Sequence, residues 1–77
     1  MLRYLKQEEV YLSVAEKIIS YLRKRGITFF KARQIFPLFK NELPNQHIND
    51  LCRVLMILQE KGIIEKWSNR TWRVIKS

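Results

Sequence analysis

Residues 60–77 read EKGIIEKWSNRTWRVIKS, and this ending decides the fold. Apolar and polar residues alternate on both sides of the short polar tip Ser68-Asn69-Arg70. A period of two is that of a β-strand, so the stretch reads as a hairpin. A two-stranded hairpin is barely stable alone, and one face must lie on something else. With a three-residue loop, Ile64 faces Val74, Glu65 faces Arg73 and Trp67 faces Thr71; a two-residue loop would set Trp67 opposite Trp72. The first register is preferred. It pairs opposite charges across the strands and groups Trp72 with Ile64 and Val74, leaving Trp67 partly exposed.

The support lies upstream. Ile48, Leu51, Leu55 and Leu58, with Val54 alongside, form one apolar stripe at helical spacing. Asn45 is a suitable N-cap, and Lys61-Gly62 a suitable stop, giving a helix over Asn45–Lys61. Before it, FKARQIFPLF offers Ala32, Ile35, Phe36 and Phe39 at helical spacing. Pro37 has no N–H and bends or ends that helix, and Lys40-Asn41-Glu42 with Pro44 makes the turn. ITF, residues 27–29, allows a β-bridge or one small strand. In KQEEVYLSVAEKIISYLRKRG, Val14, Ile18 and Leu22 recur every four residues, with Tyr11, Ala15 and Ile19 widening the stripe. Arg23, Lys24 and Arg25 suit the negative end of that helix, and Gly26 its left-handed stop. Its start is set near Lys6, although Ser13 to Glu16 also reads as a capping box. The chain thus divides into an N-terminal arm or helix extension, residues 1–9, and a domain, residues 10–77. Ile18, Leu22, Ile35, Leu51, Leu55, Leu58, Ile64 and Val74 are expected to share one core.

Composition bounds the function. A chain of 77 residues forms one domain, and 47% hydrophobic residues suit a globular one. A formal charge of +8 favours a polyanionic partner, nucleic acid before anionic membrane. The longest apolar run, VLMIL at 54–58, is far too short to span a bilayer, and the N-terminus lacks a signal-peptide core. Cys52 is the sole cysteine, so no intramolecular disulfide can form; it is expected as a small packing residue in a cytoplasmic, reducing setting. His47 and Cys52 are the only soft ligands, too few for a structural zinc site within one chain. There is no Gly-rich phosphate loop and no motif-spaced pair of acids. The expectation is a protein that is not an enzyme, with no cofactor and no small-molecule ligand.

The order of elements, and above all LQEKGIIEKWSNRTWRV at 58–74, resembles the winged helix-turn-helix family: a helix-end leucine, a basic-Gly stop, two apolar residues entering a strand, and a polar tip. The resemblance covers residues 10–76, nearly the whole chain. It implies an α+β fold, three helices with a C-terminal hairpin wing, and a protein that binds double-stranded DNA as a small transcriptional regulator. The helix Asn45–Lys61 would enter the major groove, and the wing would touch backbone or minor groove.

Carried onto this chain, the candidate base-reading residues are Asn45, Gln46, His47, Asn49, Asp50 and Arg53, near the helix start and off the apolar stripe. Asp50 could accept from cytosine, hold Arg53, or cap the helix. Lys66, Asn69, Arg70 and Arg73 are the wing candidates, and Lys31 and Arg33 the backbone contacts. Trp67 and Trp72 read as hairpin packing in preference to base stacking. Leu2, Tyr4, Leu5, Met56 and Ile57 lie off the core stripes and suggest a homodimer. The alternative is a winged-helix module that docks proteins in a transcription or replication assembly. What separates the two is whether exposed surface is given to Met56, Ile57 and Trp67. RNA binding is a third possibility.

Overall fold

A computed structural model of the protein describes residues 2–75, with side chains from residue 8 onward. Helix α1 (Leu2–Arg25) leads to strand β1 (Phe29–Phe30), helix α2 (Ala32–Phe39), a single 3-10 turn (Lys40–Glu42), helix α3 (Ile48–Glu60) and strands β2 (Ile64–Ser68) and β3 (Thr71–Val74). This is a small α+β domain with the layout of a winged helix-turn-helix: three helices followed by an antiparallel hairpin. Among the described residues, no helix is long and apolar enough to cross a membrane.

Helix α1 starts at Leu2, earlier than Lys6, and Ser13 lies inside it without a capping role. Its 24 residues span about 36 Å at 1.5 Å per residue, matching the 36 Å long axis of the protein. Both long helices end the same way. Gly26 (φ 64) and Gly62 (φ 74) take the left-handed conformation that glycine adopts without a Cβ clash. The next amide reaches back five residues, Ile27 N–H to the Leu22 carbonyl at 2.9 Å and Ile63 N–H to the Leu58 carbonyl at 3.0 Å. Each closure sets a C-terminal isoleucine beside the helix-end leucine, as the Schellman motif requires.

Helix α2 carries Pro37 in its interior and ends two residues later in the 3-10 turn, since Arg33 can receive no amide from position 37. A β-turn follows: Gln46 N–H donates to the Leu43 carbonyl at 3.2 Å, with Pro44 second in the turn. Helix α3 therefore begins at Ile48, not Asn45. Its N-cap is His47, whose Nδ1 accepts the Asn49 N–H at 3.1 Å.

The sheet has three strands in the order β1-β3-β2. Ile64 pairs with Val74, Glu65 with Arg73 and Lys66 with Trp72, the expected register at the core end. At the tip a bulge intervenes, and Ser68, not Trp67, lies opposite Thr71. The small strand is Phe29–Phe30, pairing with Arg73 and Trp72, one residue beyond the ITF stretch.

One core fills the space between helices and sheet. Val14, Ile18, Leu22, Ile35, Leu51, Leu55, Leu58, Ile64 and Trp72 are buried in it, and Val74 packs against it half-buried. Leu43 and Phe30 also belong to the core, though neither falls on a stripe of the long helices. Cys52 is exposed on α3, so its expected packing role is corrected. With Leu55 fully buried, Leu55→Ala should remove ~2–5 kcal/mol of stability, read as a fall in the urea midpoint with an unchanged slope.

Candidate nucleic-acid interface

The proposed reading helix is positioned by a buried carboxylate. Asp50 lies in the first turn of α3 with 3% of its surface exposed. Tyr11 of α1 donates its hydroxyl to Oδ1 at 3.0 Å. Asn45 donates its backbone N–H to Oδ2 at 2.8 Å and its Nδ2 to Oδ1 at 3.1 Å. Burial pushes the Asp50 carboxyl up, but the hydrogen bonds from Asn45, Tyr11 and the His47 backbone outweigh it, and its pKa falls below the ordinary 3.8. Burial and the neighbouring carboxylate raise the Tyr11 phenol. Asp50 thus ties α1, the turn and α3 together. It is not available to a base edge, and of the roles open to it in the sequence, helix-start anchoring is the one it takes.

The other helix candidates separate into two groups. Asn45 and Gln46 precede α3, in the turn, and Gln46 sits at φ 51, left-handed for a residue with a Cβ. Asn45 is occupied by Asp50, and His47 by its own cap. Asn49 and Arg53 are exposed on α3 itself. They share an open groove between α1 and α3 with Glu8, Glu60 and the apolar Leu12 and Met56. The exposed side of α3 therefore carries Arg53 but also Glu60, with Met56 49% exposed. Ile57 is half-buried in the same groove, and the Leu2, Tyr4 and Leu5 side chains lie outside the described residues.

Cations gather instead at the sheet and the start of α2. Lys31, Arg33, Lys66 and Arg70 make no ion pair with a described residue; Arg73 pairs with Glu65 at 2.7 Å. Lys31 is the N-cap of α2, where Gln34 Oε1 accepts its backbone N–H at 2.9 Å. Its ammonium has no lone pair, so it cannot cap and stays exposed to solvent. Lys66 lies over the Trp72 ring at 5.1 Å. Arg70, at the hairpin tip beside exposed Asn69, has φ 65. Glycine normally takes such a position because it has no Cβ to strain, and asparagine because its short side chain can hydrogen-bond locally.

The sequence reading missed two residues. Tyr11 appeared only as part of a core stripe, and its hydroxyl partner lies 39 residues away. Phe29 is exposed on the sheet, visible as such only once it is paired with Arg73. Among the described residues, no cluster of His, Cys, Asp or Glu could hold a metal ion. No family model, curated protein or solved structure matches this chain.

A depressed folded-state pKa means that the Asp50 contribution is complete above its unfolded value and is lost as pH falls from about 4 through the folded value. Asp50→Asn keeps the shape but turns a donor toward the Asn45 donors. It should cost ~1–3 kcal/mol at pH 7. The deficit relative to wild type should shrink as pH drops below about 4, measured by urea unfolding across pH.

Proposed function

We propose that this protein binds double-stranded DNA as a small transcriptional regulator within the cell, acting without catalysis. The observation that carries the reading is Arg70. A strained left-handed tip that glycine would relieve is held by an arginine, in a chain of net charge +8. Lys66 and Asn69 flank that tip, while Lys31 and Arg33 open α2, so phosphates along a duplex would meet both. The major-groove contacts reduce to Asn49 and Arg53, from the first two turns of α3, capable of bidentate bonds to adenine and guanine. Asn45, His47 and Asp50 set the helix start instead, and Gln46 lies exposed in the turn before it. Arg73, already paired with Glu65, is a weaker phosphate partner than Arg70.

Leu12, Met56 and Ile57 give the α1–α3 groove an apolar rim. The occupant proposed is a second copy of the chain, which would bring two α3 helices to a two-fold site with half-sites about 10 base pairs, or a multiple, apart. The rival reading, a protein-docking module, is favoured by the same rim and by the near-neutral face of α3. A DNA-free partner would then bury Met56 and Trp67.

Mobility shift against duplex across a salt series separates the two. Arg70→Ala should weaken cognate and random duplex alike and reduce the salt slope by about one unit. Arg53→Ala should lose ~1–3 kcal/mol on the cognate site and much less on random duplex. Absence of duplex binding at ~50 mM salt would sink the DNA reading. For the dimer, sedimentation should show a two-fold mass that Met56→Glu returns to monomer; a wild-type monomer at high micromolar concentration refutes it.

A further inference from the structure

The two tryptophans of the hairpin have opposite fates. Trp72 is buried against the core, while Trp67, at the bulge, is 54% exposed. Phe29, Arg73 and Glu65 are cross-strand partners, so they form one row on the face of the sheet that no helix covers. The Trp67 ring lies across that row. Its centroid is 5.5 Å from Phe29 at an interplanar angle of 63°, and the Arg73 guanidinium sits 5.0 Å from its centre. Phe29 is itself 49% exposed. The Arg73 Nε is buried and has no acceptor among the described residues.

We propose that this sheet face is a stacking platform for an unpaired base of a single-stranded nucleic acid. At 63° only one ring can lie parallel to a given base. Trp67, the larger, stacks, and Phe29 walls the base edge or sugar. A π-face suits every base, so the platform binds single strands with little sequence preference. Charge selects the occupant: Arg73 on this face, Arg70 at the hairpin tip and Lys31 after β1 stand against one acid, Glu65, whereas Lys66 shares the inner side with Trp72. An acidic backbone with planar bases fits that surface. The proposal extends the nucleic-acid reading from paired to unpaired bases and rests on it for the cations; the stacking rings, Trp67 and Phe29, have no part in that reading.

The test is tryptophan fluorescence during titration with an oligothymidylate of about a dozen residues at ~50 mM salt. Stacking should quench Trp67, whereas buried Trp72 should keep its blue-shifted emission and report that the fold is intact. Trp67→Ala should weaken binding about 5- to 100-fold, Trp67→Phe much less, and Phe29→Ala by an intermediate amount. No quenching, or unchanged affinity in Trp67→Ala, overturns the platform. So does loss of self-association in Trp67→Ala, which would make the face a protein interface. Duplex affinity measured on the same proteins keeps the two readings apart: the platform fails alone if Arg70→Ala still weakens duplex binding, and both fail if neither nucleic acid binds.

Discussion

A buried carboxylate in the first turn of α3 is the constraint on which the arrangement of this protein depends. An ion removed from water is tolerated only where donors surround it, and Asp50 has donors from α1 and from the turn before α3. Apolar packing between α1 and α3 would permit some sliding, because dispersion and burial are non-directional. Hydrogen bonds at 2.8–3.1 Å are not so forgiving. Asp50 therefore fixes the height of α3 along α1 and the path of the turn, including the left-handed Gln46. The exposed Asn49 and Arg53 inherit their position from that fixed start.

The second determinant is that β3 lies in the middle of the sheet. Pairing on both sides turns a marginal hairpin into a three-stranded sheet, which can bury one face and leave the other to solvent. The inner face carries Phe30, Ile64, Trp72 and Val74 onto the helices. The outer face carries aromatic and ionic groups that contribute little to the core. Charge is divided in the same way. The groove between α1 and α3 mixes Arg53 with Glu8 and Glu60, whereas the hairpin and the start of α2 are basic. The proposed polyanion and the proposed second copy of the chain would therefore engage different surfaces, the wing and the groove, and need not compete.

Helices and hairpin were legible in the sequence because each shows a period that local geometry imposes: 3.6 in the stripes through Ile18 and Leu55, two around Ile64 and Val74. The glycine stops were legible for the same reason, since a left-handed residue is a local demand. The charge pairing of Glu65 with Arg73 also followed from alternation alone. What misled was chemistry that depends on a distant neighbour. The sequence leaves Asp50 open to three roles, and only the donor from Tyr11 on another helix, with those of Asn45, selects helix-start anchoring; Asn45 reads as a cap because its bonds to Asp50 depend on the folded turn.

The sequence by itself determined the number and type of elements, the core stripes and the strongly basic character of the chain. These are properties of spacing and composition, and they survive any mutual placement of the elements. Tertiary structure alone decided where α3 begins, which residue bulges at the wing, that Cys52 faces solvent, and that Phe29 meets Trp67 and Arg73. Each of these rests on contacts between residues far apart in the chain, whose energies are set by burial and hydrogen-bond geometry once the elements pack. Local pattern contains no term for them.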